Sequence, residues 1–167
     1  MKNNGYDKKV VGMADHEALM RGAVKAFNIK EPRFVGMIIT GKYGCGKTHF
    51  VRSLGMRCDF IDMTLPASVK RLADNQWCDS EVENLLNHTV VIDDMGAECI
   101  RNEYGVKHDV VGEFICQYHR LGKGRLFITT NLTGSEMLDR YGGRVVDRLK
   151  QLCVPVRMTG ESKREWL

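Results

Sequence analysis

One eight-residue run, Gly41-Lys42-Tyr43-Gly44-Cys45-Gly46-Lys47-Thr48, constrains this chain more than anything else in it. It satisfies the pattern G-x-x-x-x-G-K-[ST], whose glycines let a backbone wrap closely around an anion. Such a loop needs a strand to deliver it and a helix to carry it away, so that N–H groups and the positive helix end converge on phosphate. Both flanks are present: Phe34-Val35-Gly36-Met37-Ile38-Ile39 is apolar, and residues 49–56 suit a helix. At the average glycine usage of about 7%, a random chain of this length meets the pattern on the order of once in a hundred times. The loop therefore predicts a nucleoside triphosphate site formed by residues 41–49, His49 included. Lys47 would reach the β- and γ-phosphates, and the Thr48 hydroxyl would ligate Mg²⁺.

Periodicity extends this unit along the chain. Asp15 is placed to cap a helix running to about residue 27, with Leu19, Ala23 and Phe27 at helical spacing. Strand one covers 34–40. Residues 59–63 read as strand two, ended by Thr64, with Pro66 suited to the first turn of a helix. Short helices are expected over 67–73 and 81–86. Residues 89–93 are strand three, apolar before its acid and so buried on both faces. Val110, Val111, Phe114, Ile115, Tyr118 and Leu121 mark an amphipathic helix from about residue 107 to 121, stopped by Gly122. Strand four is 125–131, Ser135 caps a short helix, another helix follows Gly143, and 153–158 is strand five. Pro155 sends that strand to an edge. Alternating strands and helices predict an α/β fold, a parallel sheet with the loop at its carboxyl ends.

Three further motifs carry chemistry. Val90-Val91-Ile92-Asp93-Asp94 ends a buried strand in two acids, at the same sheet edge as the loop. Asp93 is suited to hold Mg²⁺ through water, and Asp94 to orient or deprotonate an attacking water. Phe127-Ile128-Thr129-Thr130-Asn131 ends in an uncharged amide that can hydrogen-bond a γ-phosphate or the lytic water. In Gly142-Gly143-Arg144-Val145-Val146-Asp147-Arg148-Leu149, two arginines stand one helical turn apart. A guanidinium stabilises charge developing on a γ-phosphate and can be delivered from a neighbouring subunit. The alternative for either arginine is pairing with Asp147, Asp139 or the sheet edge.

Composition adds limits. The 167 residues are 43% hydrophobic and 28% charged, with mean hydropathy −0.29, enough for one packed core. No apolar run approaches the roughly 20 residues a membrane span needs, and the basic N-terminus has no apolar signal core. A cytoplasmic location is expected, with Cys45, Cys58, Cys78, Cys99, Cys116 and Cys153 as reduced thiols. Cys116 and His119 share a helical face, but two ligands do not make a metal site. Part of the net charge of +4 lies across 140–150, with Arg157, Lys163 and Arg164 beyond, and Lys70-Arg71 and 119–125 are smaller basic groups. These groups suit nucleic-acid phosphate, although a solvated charged face is the commoner reason for them.

In order and wording, Gly-x-x-x-x-Gly-Lys-Thr-His, Val-Ile-Asp-Asp-Met-Gly-Ala-Glu, Ile-Thr-Thr-Asn-Leu, Gly-Gly-Arg-Val-Val-Asp-Arg-Leu and Val-Arg-Met-Thr-Gly resemble one family. It is the AAA+ ATPase core of the DnaC/IstB group, which contains bacterial and phage replicative-helicase loaders and transposition-accessory ATPases. The resemblance runs from about residue 34 to 160. It implies a P-loop three-layer sandwich with parallel strand order 5-1-4-3-2 and no large helical lid. Residues 1–167 would then be one AAA+ core, with 1–33 a short helical lead-in. It implies ATP and Mg²⁺ as ligands, Asn131 as sensor one, and Arg148 as an arginine finger acting across a self-association interface. Single-stranded DNA and a replicative helicase or transposase are the implied partners, with no membrane. Group members carry a sizeable N-terminal extension, whereas here about one helix precedes strand one. The insert between strands two and three, which in the loaders carries a DNA-contacting helix, is short here and holds Lys70 and Arg71.

Two other classes stay open. An ATP-dependent adaptor without turnover would not need the Asp93-Asp94 pair. A small-molecule kinase fits Asn131 and Arg148 poorly. Should Asp94 not be the base, Glu98 is the next acid along.

Overall fold

The computed structural model describes residues 21–22, 35–75, 79–98, 101–103 and 106–159. Along the chain run β1 (Gly36–Gly41), α1 (Lys47–Ser53), β2 (Asp59–Asp62), α2 (Pro66–Asn75), α3 (Asp79–Asn87) and β3 (Val90–Met95). Then come β4 (Arg101–Glu103), β5 (Val106–His108), α4 (Val110–Leu121), β6 (Leu126–Thr130), α5 (Gly134–Leu152) and β7 (Cys153–Met158). The apolar runs pair side by side as β2-β3-β6-β1-β7, every pair parallel. Numbered among these five strands alone, the order is 5-1-4-3-2, with the Pro155 strand at one edge.

Both faces of the sheet are buried, and strand alternation assigns each residue to one of them. Ile38, Val90, Ile92, Leu126 and Ile128 enter the apolar cluster that α2, α3, α4 and α5 close with residues such as Leu72, Leu85, Phe114 and Leu149. Met37, Ile39, Val91, Phe127 and Val156 enter the opposite cluster, closed by Phe50 and Val51 of α1. Each such side chain contributes about 1.5–3 kcal/mol by leaving water. The central strand β6 therefore has no polar position until its carboxyl end. The same alternation sends Asp93, two residues after Val91, and Thr129, two after Phe127, toward the α1 face.

Beyond Asp93 the alternation breaks. Ile92 pairs with Ile128 and Met95 with Thr130, so β3 spends three steps where β6 spends two. This is a β-bulge. Asp94 sits in it with φ of 54°, and Met95 rejoins the cluster that holds Ile92.

Several expectations need correction. The helix expected from residue 107 starts at Val110, because Asp109 caps it by accepting a hydrogen bond from the Gly112 N–H at 2.8 Å. Residues 106–108 instead pair antiparallel with 101–103 as β5 and β4. The cap of α5 is Thr133, not Ser135: its hydroxyl accepts from the Glu136 N–H while the Glu136 carboxylate accepts from the Thr133 N–H. The two helices expected around Gly143 run on through a kink at Gly142, where φ is 77° and ψ 166°. A side chain there would meet no atom within 4 Å, so glycine serves the backbone angle and not the space.

The helix expected to residue 27 lies outside the described residues except for Arg21 and Gly22, which are helical. Cys78 and Cys99 lie outside them too. Cys45, Cys58, Cys116 and Cys153 are free thiols, and full burial pushes the last up to about 12. Among the described residues, no helix is long and apolar enough to cross a membrane.

Candidate functional site

β1 hands directly into the glycine loop, which ends at Lys47, the first residue of α1. Gly44 and Gly46 take φ of 78° and 97°, and Gly46 caps α1 without a capping side chain. A helix start at such a loop turns backbone N–H groups and the positive helix end toward an anion. Lys42, Tyr43 and His49 are exposed around the loop, Gly41, Gly44, Gly46 and Thr48 half-buried, and Cys45 buried. Lys47 is only 5% exposed. Its Nζ donates to the Gly41 and Lys42 carbonyls, each at 2.9 Å, and to Asn131 Oδ1 at 2.6 Å. The charge is thus held by oxygens at the mouth of the loop.

The two acids take different surroundings. Asp93 is 3% exposed, and its Oδ1 accepts from the Thr48 hydroxyl at 3.0 Å and the Thr129 hydroxyl at 2.6 Å. Burial raises the pKa of its carboxyl; the Thr129 and Thr48 hydrogen bonds pull the other way, and Asp94 and Asp62 add to the rise. A divalent cation would offset that desolvation, and a hydroxyl beside a buried carboxylate is the hard-oxygen set Mg²⁺ takes. The residues fit the ion. Asp94 is half-buried, and its Oδ1 accepts from Asn131 Nδ2 at 3.3 Å. Asn131 therefore bridges the Lys47 ammonium and the second acid through one amide.

Thr129 escaped the sequence reading, because threonines end strands everywhere. Its signal was parity with Phe127, which puts it on the face of α1, Thr48 and Asp93.

Glu98, the reserve candidate for a base, is 8% exposed and fully engaged. Its Oε2 accepts from the Gly96 N–H at 2.8 Å. Its Oε1 accepts from the Tyr141 hydroxyl and from Arg140 Nη2, which also donates to the Glu98 carbonyl. Burial, then the neighbouring Glu98 carboxylate, raises the Tyr141 pKa and keeps the phenol a donor. Glu98 thus braces the loop after β3 against α5, beside the Gly142 kink. A hydrogen bond to a charged group contributes about 1.5–3 kcal/mol. Tyr141→Phe should therefore lower Tm by about 3–12 °C, at roughly 2–4 °C per kcal/mol for a chain of this size. Circular-dichroism melting checks it, and an unchanged Tm would mean that the brace carries no load.

Arg148 stands apart from this group. It lines, with Arg144, Asp109 and Glu113, a groove of about 860 Å³ between α4 and α5 that no residue of the glycine loop lines. Its Nη1 lies 3.7 Å from Asp147 Oδ2, the neighbour foreseen as an alternative partner. Gln151 Nε2 donates to Asp147 at 2.8 Å, and Gln151 Oε1 lies 2.7 Å from His119 Nε2. Lys70 and Arg71 are both exposed, and Arg71 pairs with Asp59 at 2.9 Å.

No protein-family model matches the chain, and no curated protein matches it at a significant level. Solved structures do match. A candidate primosome component from Streptococcus pyogenes serotype M3 superposes with a TM-score of 0.62 at 18% identity, over 96% of this chain and 93% of that one. Domain III of the replication initiation protein DnaA from Thermotoga maritima gives 0.59 at 21%, over 95% of this chain and 68% of that one. PCH-2 of C. elegans gives 0.50 at 14%, over 93% of this chain and 43% of that one. The likeness is one of fold: the five-stranded parallel sheet in the order 5-1-4-3-2 is that of AAA+ cores.

Proposed function

We propose that this chain is an ATP-hydrolysing AAA+ core of helicase-loader type, acting in DNA replication or transposition by assembling with nucleotide on single-stranded DNA or on a helicase. The observation that carries the reading is the Asn131 bridge. One amide ties the phosphate-loop lysine to the second acid, while Thr48 and Asp93 share a hydrogen bond beside them. A loop that served only to turn the chain would have no use for this convergence. Two of the structural neighbours, the primosome component and the replication initiation protein, support the replication setting.

In this reading Lys47 exchanges its oxygen partners in the loop for the β- and γ-phosphate oxygens, and loop N–H groups surround the phosphate chain. Mg²⁺, when bound by Thr48 and through water by Asp93, supplies charge neutralisation on the phosphates. Asp94 orients the attacking water and takes its proton. Asn131 hydrogen-bonds the γ-phosphate or that water without adding charge. Arg148, which lines the α4–α5 groove together with no residue of the glycine loop, would serve a neighbouring subunit, which makes self-association part of the mechanism.

Phosphate release from ATP and Mg²⁺, with and without single-stranded DNA, tests the reading. Asp94→Asn should keep ATP affinity by calorimetry and lose about 10²–10⁴ in turnover, the range of a general base. Turnover of that variant at the parental rate would move the base elsewhere. Parental protein that binds ATP without releasing phosphate would favour an adaptor, and a phosphate that reappears on a small metabolite would favour a kinase.

A further inference from the structure

We infer that Thr129 is a positioning residue that sets both acids of the site, an inference resting on the ATPase reading above. Its side chain is 0% exposed at the carboxyl end of the central strand β6. A hydroxyl has one proton to give and lone pairs to accept with, and Thr129 uses both on the acids. The proton goes to Asp93 Oδ1 at 2.6 Å, and the oxygen accepts the Asp94 backbone N–H at 2.9 Å.

The need for such a group follows from strand geometry. Consecutive residues of a strand point to opposite faces, so an unbroken β3 would aim Asp93 and Asp94 apart. The bulge brings Asp94 back to the sheet edge, at the cost of a φ of 54° in a residue with a side chain. Such a backbone persists only where its surroundings hold it. Here the Asp94 N–H ends on the Thr129 hydroxyl, which fixes the bulge, while the same atom turns Asp93 Oδ1 toward Thr48. The next threonine does not share this role. Thr130 faces the other way, donating to the Met95 carbonyl at 2.7 Å and accepting from the Leu132 N–H at 3.1 Å.

Valine keeps the shape of threonine and loses the hydroxyl, leaving Asp93 with Thr48 alone and the Asp94 N–H without its acceptor. Serine keeps the hydroxyl and loses only a methyl group. Groups that orient a metal ligand from behind typically carry 10–100-fold in metal affinity or activity.

The test is calorimetric ATP affinity in Mg²⁺ and in EDTA for the parent, Thr129→Val and Thr129→Ser, with kcat and thermal melts alongside. Thr129→Val should match the parent in EDTA, lose about 10–100-fold of the affinity gained with Mg²⁺, and lose kcat by a similar factor. Thr129→Ser should restore both to within a few-fold. A parental magnesium-linked gain and kcat in Thr129→Val overturns the inference. So does a Thr129→Ser variant as impaired as Thr129→Val, since that assigns the effect to the methyl group. If Thr129→Val fails to fold, Thr129→Ala against Thr129→Ser carries the same comparison, and equal magnesium-linked gains overturn it. A parent with no magnesium-linked gain overturns the inference together with the metal assignment. A parent with that gain but no turnover overturns the ATPase reading alone and leaves the Thr129 comparison decisive.

Discussion

Lys47→Ala is expected to remove measurable ATP binding while leaving the fold in place. The lysine is buried, and its ammonium is held by the Gly41 and Lys42 carbonyls and Asn131 Oδ1. None of these partners needs the charge for the sheet to form: two are backbone carbonyls and the third is a side-chain amide that follows β6. Alanine is a good residue for the first position of α1, so the helix should persist. What disappears is the cation that faces two phosphates. Two charge-assisted contacts of about 1.5–3 kcal/mol each correspond to roughly 10²–10⁴ in affinity. Isothermal titration with ATP should show that loss, with a far-ultraviolet spectrum like the parent's as the control. Unchanged affinity in a folded variant would overturn the phosphate-loop assignment and every role drawn from it.

The strands were legible because each is a short apolar run bounded by turn residues or glycine, and strand five, 153–158, matches β7 at both ends. Their order in the sheet was not in the periodicity; it came from the resemblance. The two acids were legible as the polar end of a buried run. The bulge between them was not, since it depends on how β3 and β6 pair, and those residues lie more than thirty positions apart. Thr129 was hidden for the same reason: a strand-ending threonine means little until its facing strand is known. The Thr133–Glu136 capping box was readable as T-x-x-E, but Ser135 offered a competing cap. β4 and β5 are three residues each, too short for alternation to register. Glu98 stood in the same strand-end motif as a reserve base, and only its partners on α5 reveal a brace.

Arg148→Ala is expected to have the other large effect, and it separates a finger from a surface ion pair. In its own chain Arg148 lies beside Asp147 and lines a groove that no residue of the glycine loop lines, so the isolated subunit should bind ATP with nearly parental affinity. Turnover should nevertheless fall steeply. An arginine finger is worth about 10³–10⁵ in rate, whereas a half-exposed ion pair is worth at most about 1 kcal/mol of stability and nothing in catalysis. The position on α5 gives the test its form. Met137, Tyr141, Val145 and Leu149 are buried along that helix, and Arg144 and Arg148 line the groove beside α4, the face on which a second copy would have to dock. Subunits carrying Arg148→Ala still own an intact site, and subunits carrying Lys47→Ala still own an intact finger. Mixed together, they should recover part of the phosphate release that neither shows alone, with a maximum near equal amounts. Absence of recovery at every mixing ratio, from two folded and assembling variants, would make Arg148 a structural residue or one acting within its own subunit. Arg144, one turn earlier on the same face, would then be carried through the same mixing experiment.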